Sequence, residues 1–512
     1  MAKQLQLYRN RLLSFLKDKR SKIAFLTVGI CSIFAYLYYI TNLISNNDMI
    51  SCTPLGIGES IRSGRWGLFL LSEAVDRLWG GHYNVPAFNV MLALILTSLS
   101  AALLIRVLEL RKTSLCVCLS ALTATVPALA STMFFAYSVQ YYTLAILLTV
   151  TAAWLVGKKG LPSYLGAVAC GCFSLSIYQA YLPFFGVVLL LGLILRCYRQ
   201  EESPKALLLN AFKALSVLIL SYLCYSLILK LLLRVLGLSL SDYQGINTMG
   251  TVHLSGIARA LKDVLLLPLR PGYYGFNATV VICLGIGLSY LCVAVTLLWG
   301  KRLPLGKGLL LGLFLLCLLV CVNATHILAG DSVLYTRMTL GLIGIFFLPL
   351  VLLEHVPFRK EDRKALASGI LVTVLLLCCA NYAWQSNGNY LSVEYSNRKA
   401  ENYFSSMFTR IRSAEGYKQE LPIVYVGQTI SDKAYVDNWI LPPFTYTGRM
   451  GAKAQLNQYS RNNFIRNYLG LEWRKITEAE AQKYADLIGD LECYPNDHSI
   501  AVTEDFVLIR LE

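Results

Sequence analysis

The sequence predicts an all-α, multi-pass membrane domain followed by a small α+β domain. The 512 residues are 56% hydrophobic and only 15% charged, whereas soluble domains carry about 25% charged residues. The charges also leave long uncharged runs within residues 1–383. Only helices or closed barrels satisfy the backbone in lipid, and no segment alternates as a barrel strand does. The membrane part is therefore expected to be helical.

The uncharged runs predict about eleven transmembrane helices, because a helix needs about 20 apolar residues to cross the hydrocarbon core. They are placed at residues 23–43, 86–105, 115–133, 139–156, 162–178, 180–196, 214–233, 277–299, 308–328, 337–353 and 365–383. Two long loops, 44–85 and 234–276, interrupt this domain, to which we assign residues 1–383.

Residues 384–512 form the predicted soluble domain, because they are more polar than the rest and rich in aromatic residues. A helix is expected near residues 393–413 and a strand at 421–426, followed by a helix near 477–489 and a hairpin at 498–511. A segment of about 130 residues is long enough to bury a core of its own.

The distribution of Lys and Arg predicts the orientation. Basic residues are dense before the first span and recur in every second loop, which by the positive-inside rule places the N-terminus in the cytoplasm. With eleven spans, both long loops and the C-terminal domain are then extracytoplasmic, where Cys52 and Cys493 could pair. The net charge of +16 lies in the membrane part. There it orients helices and meets the headgroups of the lipid bilayer, so a nucleic-acid partner is disfavoured.

The first long loop carries the residues that point to chemistry. Asn47 and Asp48 follow the first span directly, and Arg62, Arg65 and Trp66 follow in the same loop. A carboxylate at the membrane boundary can act as general base on an acceptor hydroxyl. A guanidinium matches the oxygens of a lipid phosphate. Taken singly, each residue is more typical of a solvated flank, a helix cap or an interfacial anchor, and Trp66 either stacks on a sugar or anchors the loop. Together they predict sugar transfer from a lipid carrier.

Further polar residues are expected at the same level of the membrane. Gln179 either binds a substrate hydroxyl or hydrogen-bonds another helix, and Arg337 either binds phosphate or pairs with Asp331. The remaining candidates for sugar or acceptor binding are Tyr178, Tyr181, Tyr273, Tyr274 and His326. The histidines and cysteines show no metal-ligand spacing.

Three segments resemble a known family. Asn47-Asp48, Arg62-Ser63-Gly64-Arg65-Trp66 and the run from Ser174 to Tyr181 are similar to the glucosyltransferase-II family of bacterial O-antigen serotype conversion. That family lies within the GT-C superfamily of polyprenyl-phosphate-sugar-dependent glycosyltransferases. The resemblance covers about residues 20–380.

The resemblance implies a GT-C-like membrane domain in a bacterial plasma membrane. The implied reaction moves glucose or a similar hexose from undecaprenyl phosphate to a surface polysaccharide or lipid-linked glycan, with inversion and with Asp48 as general base. A divalent cation, Mg or Mn, is optional in the superfamily. Many of its members carry two adjacent acids in this loop, whereas here Asn47 precedes Asp48. Glu59 is therefore the candidate for the second acid.

Two other functional classes stay open at this point. A flippase or transporter of lipid-linked sugars would show inverted repeats and polar residues near the midplane. A polysaccharide polymerase is a closer alternative, as is a membrane acyltransferase with His326 as its catalytic histidine. The clustering of polar residues at the outer boundary favours sugar transfer.

Overall fold

The structure is a computed structural model. It describes residues 6, 10, 13–42, 44–45, 47–51, 57–80, 85–199, 202–242, 257–258, 275–300, 303–322, 324–328, 335–427 and 458–511. These residues form two compact units. The first contains residues up to 42 and residues 57–387, and the second contains residues 44–51 and 388–511.

Helices dominate the described residues. In chain order they are α1 (Lys19–Asn42), α2 (Asn47–Ser51), α3 (Ile57–Arg62), α4 (Trp66–Trp79), α5 (Pro86–Val107), α6 (Thr113–Thr125), α7 (Pro127–Met133), α8 (Val139–Val156), α9 (Leu161–Ile177), α10 (Leu182–Cys197), α11 (Pro204–Val235), α12 (Gly275–Trp299), α13 (Leu305–Cys321), α14 (Thr325–Leu328), α15 (Ile343–His355), α16 (Glu361–Arg412), α17 (Gln458–Leu469), α18 (Glu478–Lys483) and α19 (Ala485–Asp490). Short 3-10 turns occur at Gln179–Tyr181, Thr336–Met338, Leu340–Leu342 and Asp497–Ser499.

Several of these helices can cross a membrane. Within the described residues, six are long and apolar enough: α1, α5, α8, α11, α16 and the segment Gln179–Cys197. A seventh span results if α6 and α7, bent by 45°, are taken as one. Shorter apolar helices occupy Leu161–Ile177, Gly285–Trp299, Leu305–Cys321 and Leu340–His355. The chain is thus a helical multi-pass membrane protein, as predicted, while the count of eleven spans stays a prediction.

The bend between α6 and α7 has a local cause. Pro127 begins α7, and a proline has no N–H for the preceding turn and clashes with the carbonyl four residues back. The helix therefore ends at Thr125, and a new helix starts at the proline after Val126.

Polar side chains inside the bundle are satisfied largely by their own helices. The hydroxyls of Thr97, Ser100, Ser120 and Thr149 each donate to the carbonyl four residues earlier, at 2.8–3.0 Å. Such bonds let small polar residues pack between helices without an unsatisfied group in an apolar interior. Helix α8 lies at the centre of this packing, against α5 and α9, and α9 packs in turn on α11.

The second unit contains a small sheet. Its four strands are β1 (Ile423–Val426), β2 (Arg474–Lys475), β3 (Ile500–Val502) and β4 (Val507–Arg510). The order is β2-β1-β4-β3, with β1 parallel to both of its neighbours and β3 antiparallel to β4. The predicted strand and the predicted closing hairpin are both present.

Two helix predictions for the tail are changed by the structure. The segment near 393–413 is the second part of the 52-residue helix α16 and not a separate helix. The helix near 477–489 divides at Tyr484 into α18 and α19. A capping box formed by Thr477 and Glu480 starts α18. Hydrogen bonds from Arg474 lower the pKa of Glu480 to about 2.

Candidate functional site

The segment Arg62–Gly67 forms a tight turn between α3 and α4. Gly64 has a φ of +75°, and a Cβ there would overlap the side chains of Gln179 and Tyr225. A Cβ at Gly67 would likewise overlap Ser176 at the end of α9. At Gly64, only glycine accepts both the left-handed backbone and the close approach. At Gly67, the close approach alone requires glycine. The two glycines thus let the turn lie directly against the helices that face it.

Gln179 holds this turn in place. Its Nε2 donates to the carbonyl of Ser63 at 2.8 Å and to the hydroxyl of Tyr225 at 3.0 Å. Tyr225 in turn donates to the carbonyl of Gly64 at 3.0 Å. Both amide hydrogens of Gln179 are therefore used within the protein. Of the two roles considered for Gln179, the structure displays the hydrogen bond between helices.

Three tyrosines meet next to the turn, and we call this region the tyrosine end of the bundle. The rings of Tyr142 and Tyr178 have centroids 4.8 Å apart, and those of Tyr178 and Tyr181 are 5.0 Å apart. All three residues are buried. Tyr142 lies in the first turn of α8, while Tyr178 and Tyr181 lie in the junction between α9 and α10.

Two arginines from distant parts of the sequence meet at Tyr178. The guanidinium carbon of Arg65 lies 5.3 Å from the centre of the Tyr178 ring, and its Nη1 lies 3.4 Å from the Tyr142 hydroxyl. Arg337 lies close enough to Tyr178 to act electrostatically on its hydroxyl. It also stacks on Phe135 and Tyr335, with its guanidinium carbon 4.4 and 4.6 Å from their ring centres.

The geometry of these contacts suits an anion. Aromatic faces attract a guanidinium and orient it without cancelling its charge. Arg65 and Arg337 are both partly exposed, so a ligand can reach them. Two planar guanidinium groups and one phenol provide several donors that match the oxygens of a phosphate. The structure thus brings together two of the three predicted phosphate ligands.

The third predicted phosphate ligand, Arg62, is used differently. Its Nε donates to the carbonyl of Ser239 at 3.3 Å, and its own carbonyl accepts from the N–H of Ser241 at 2.9 Å. These bonds attach the end of α3 to the chain that follows α11. Arg62 is exposed, and its described contacts are with this segment.

Trp66 lies in the packed interior of the first unit. It is 6% exposed and belongs to an apolar cluster that includes Ile61, Leu175 and Tyr225. Its ring centroid lies 6.2 Å from that of Phe173. This burial fits the role of an anchor for the loop, and stacking of Trp66 on a sugar stays a prediction.

Asp48, the predicted general base, lies in the second unit on α2. Asn467 of α17 donates to the carbonyl of Ile50 at 3.2 Å. Asn397 of α16 donates to the carbonyl of Ser45 at 3.0 Å, and Tyr468 bonds the Ser45 hydroxyl. The short segment around Asp48 is therefore held by side chains from the C-terminal part of the chain. Asp48 itself is partly buried.

Several predicted site residues fall outside the described part of the structure. They are Tyr273, Tyr274 and the side chains of Asn47, Glu59 and His326. Asp331 and Cys52 lie outside it as well, so neither the pairing of Asp331 with Arg337 nor a Cys52–Cys493 bridge is described. Among the described residues, no group of three or more His, Cys, Asp or Glu side chains forms a metal site.

The sequence did not predict Tyr142, Phe135 or Tyr335 as site residues. A signal was available, because Phe134, Phe135 and Tyr137 form an aromatic run close to the start of the fourth predicted span. Such a run is also typical of an interfacial belt. Only the folded arrangement shows that Phe135 and Tyr335 stack on Arg337 and that Tyr142 contacts Arg65.

Comparison with known families supports a single assignment. The model of a family described as glucosyl transferase GtrII matches residues 37–348, which is more than half of the chain. The match includes the turn Arg62–Gly67, the tyrosine end and Arg337. No curated protein matches the chain.

Proposed function

Because this chain belongs to the glucosyl transferase GtrII family and is a glycosyltransferase, we propose that it transfers glucose or a similar hexose from undecaprenyl phosphate to a cell-surface polysaccharide. The reaction takes place on the outer face of a bacterial plasma membrane, with the N-terminus in the cytoplasm. The membrane domain is of the GT-C type. The observation that carries this proposal is the meeting of Arg65 and Arg337 at Tyr178. Membership of a glucosyl transferase family also argues against the transporter and acyltransferase alternatives.

The two arginines supply positively charged hydrogen-bond donors, which the leaving phosphate of a lipid-phosphate donor requires. As the bond between the sugar C1 and the phosphate oxygen breaks, the oxygen keeps the electron pair and negative charge grows on the phosphate. Donors that are already oriented towards this charge stabilise the transition state more than the ground state. Charge-assisted hydrogen bonds are also roughly twice as strong as neutral ones. Arg65 and Arg337 are therefore assigned to the donor phosphate.

Asp48 is assigned to the acceptor. It takes the proton of an acceptor hydroxyl while the oxygen of that hydroxyl forms the new bond to C1. Attack from the face opposite the departing phosphate inverts the configuration at C1. Because the segment around Asp48 is held by Asn397, Asn467 and Tyr468, we further propose that the C-terminal unit binds the acceptor polymer.

A transfer assay tests the assignment of the base. Purified protein is given undecaprenyl-phosphate-glucose labelled in the sugar, together with candidate surface polysaccharides, and label in the polymer is measured. Replacing Asp48 with Asn keeps the size of the side chain but removes its basicity. The kcat of this variant is expected to fall by a factor of about 10² to 10⁴.

The controls distinguish an error in the assignment of the base from an error in the proposed enzyme class. The same exchange at Asp362, which is exposed in the first turn of α16, is expected to leave kcat unchanged. Full transfer by the Asp48→Asn variant would remove the assignment of the base. Failure of the unaltered protein to transfer sugar from any lipid-linked donor would contradict the proposed donor class.

A further inference from the structure

A cavity lies at the far end of the bundle from the tyrosine end, and we call this region the cavity end. Its volume is about 170 Å³. Helices α5, α8 and α10 end there at Val107, Val156 and Cys197, and α11 begins there at Pro204. Because these helices cross the membrane, their common end lies at a membrane boundary.

Basic side chains dominate the polar lining of this cavity. Arg106, Lys158, Arg196 and Arg199 line it, with Glu109 as the one acidic residue of the lining. Such a concentration of like charge within a few ångströms is unfavourable unless anions compensate it.

Among the described residues, acidic side chains compensate only part of this charge. Arg199 pairs with Glu109 and with Glu202, the latter at 3.4 Å, and Arg196 lies 3.6 Å from the same Glu202. Arg106 pairs with Asp18 at 2.9 Å. The three arginines thus share three carboxylates.

Lys158 provides the excess positive charge. Its ammonium lies 4.7 Å from the centre of the Trp154 ring. Within the described residues, the ion pairs of this region do not include Lys158. A further cation, Lys213, donates to the carbonyls of Val156 and Lys158 at 2.7 Å each. Among the described residues, the cavity end therefore holds more positive than negative charge.

The rest of the lining is mostly apolar, with Asn210 as a further polar residue. Ala153, Val188, Leu189 and Leu193 contribute to the walls, and Trp154 is partly exposed beside them. The volume is smaller than the roughly 300–1,000 Å³ of pockets that enclose a whole small molecule. The cavity is thus small, rich in basic side chains and bounded by apolar walls. A compact anionic group with an apolar chain attached fits these three properties together, because the group occupies the cavity and its chain remains in the bilayer.

We propose that the cavity binds the phosphate-bearing headgroup of an anionic membrane phospholipid. Basic pockets between transmembrane helices at a membrane face have the chemistry that such headgroups require. The phosphate would neutralise the excess charge around Lys158 and Arg196, and it would link α5, α8, α10 and α11. A ligand that binds only the folded state raises its stability. This proposal is independent of the glycosyl donor and acceptor.

Gly192 offers a way to close the cavity without changing its charge. It lines the cavity, and a Cβ added to it would meet no atom within 4 Å. A Gly192→Leu variant should therefore fold normally and place its side chain in the space of the headgroup. Gly312 of α13 provides the matched control, since it also has no atom within 4 Å of an added Cβ and does not line the cavity.

The experiment measures the thermal unfolding of the full chain in a neutral detergent. The added probes are dioleoyl phosphatidylglycerol, dioleoyl phosphatidylcholine and inorganic phosphate. Phosphatidylglycerol is expected to raise the Tm by at least about 2 °C more than phosphatidylcholine does. The Gly192→Leu and Lys158→Gln variants should lose this difference. Gly312→Leu and Lys159→Gln should keep it.

Three results would overturn the proposal. The first is an equal effect of the two lipids on the unaltered protein, including no effect of either. The second is a difference between the lipids that survives in both Gly192→Leu and Lys158→Gln. The third is an effect of inorganic phosphate as large as that of phosphatidylglycerol, which would assign the cavity to a soluble phosphate.

Discussion

The two ends of α8 and α10 both collect arginines, but the arginines are held by different partners. At the tyrosine end, Arg65 and Arg337 lie against aromatic rings, and Arg65 also contacts the Tyr142 hydroxyl. At the cavity end, Arg196 and Arg199 pair with carboxylates. An aromatic ring attracts and orients a guanidinium through its face, and a carboxylate also neutralises its charge. Arginines at the two ends of one helical bundle can thus serve different tasks.

The difference matches the two tasks proposed here. The tyrosine end must meet a phosphate whose charge grows during the reaction, so its donors must be oriented in advance. At the cavity end, the ends of four helices meet and bring many charged side chains together. Ion pairs among these side chains compensate most of the charge and hold the helix ends together. What remains there is a small excess of charge, which a static headgroup can compensate.

For the comparison of the two ends, the largest expected effect concerns the arginines of the tyrosine end. Replacing Arg65 or Arg337 with Gln is expected to lower the kcat of glucosyl transfer by a factor of about 10² to 10³, because each change removes an oriented donor to the leaving phosphate. Arg111→Gln is the matched change at an exposed site between α5 and α6 and should leave kcat unchanged. Steady-state transfer with the labelled donor measures all three. A loss of less than threefold in both tyrosine-end variants would show that neither arginine acts on the donor.

A smaller effect is expected from the glycines that shape the two ends. Gly64→Ala forces a side chain into a left-handed backbone and against Gln179 and Tyr225, at a cost of about 1–3 kcal/mol. Gly192→Ala adds a methyl group to open space and should be neutral within about 0.5 kcal/mol. Thermal unfolding of both variants without added lipid measures the difference. Equal Tm values would mean that the turn at the tyrosine end is not tightly packed.

The sequence was informative about site residues whose charge suits the proposed reaction and which also lie at a predicted membrane boundary. Arg65 and Arg337 were predicted as phosphate ligands because each is a cation at a predicted membrane boundary, and the structure brings both to Tyr178. Their meeting could not be predicted from spacing, since it depends on the turn Arg62–Gly67 lying against Gln179 and on the turn Thr336–Met338 packing against α7. The same limit explains why Tyr142 and Phe135 were missed.

Trp66 and α16 show a second limit. Trp66 lies in an outer loop of the predicted topology, but Gly67 lets α4 approach Ser176 so closely that the indole is buried. Hydropathy placed the end of the last span at residue 383, whereas α16 continues to Arg412. A fall in hydropathy marks where a chain leaves lipid, and backbone hydrogen bonds can continue a helix beyond that point. The packing of α17 against the segment around Asp48 likewise has no local signal in the sequence.

The central claim is that Arg65 and Arg337 bind the phosphate of the lipid donor. Its most direct test is an experimental structure of the full chain with undecaprenyl phosphate, in which the position of the phosphorus is measured. We predict that phosphate oxygens lie within hydrogen-bond distance, about 2.7–3.0 Å, of both guanidinium groups at the tyrosine end. A lipid phosphate bound at the cavity end or elsewhere, with neither Arg65 nor Arg337 in contact, would contradict the claim.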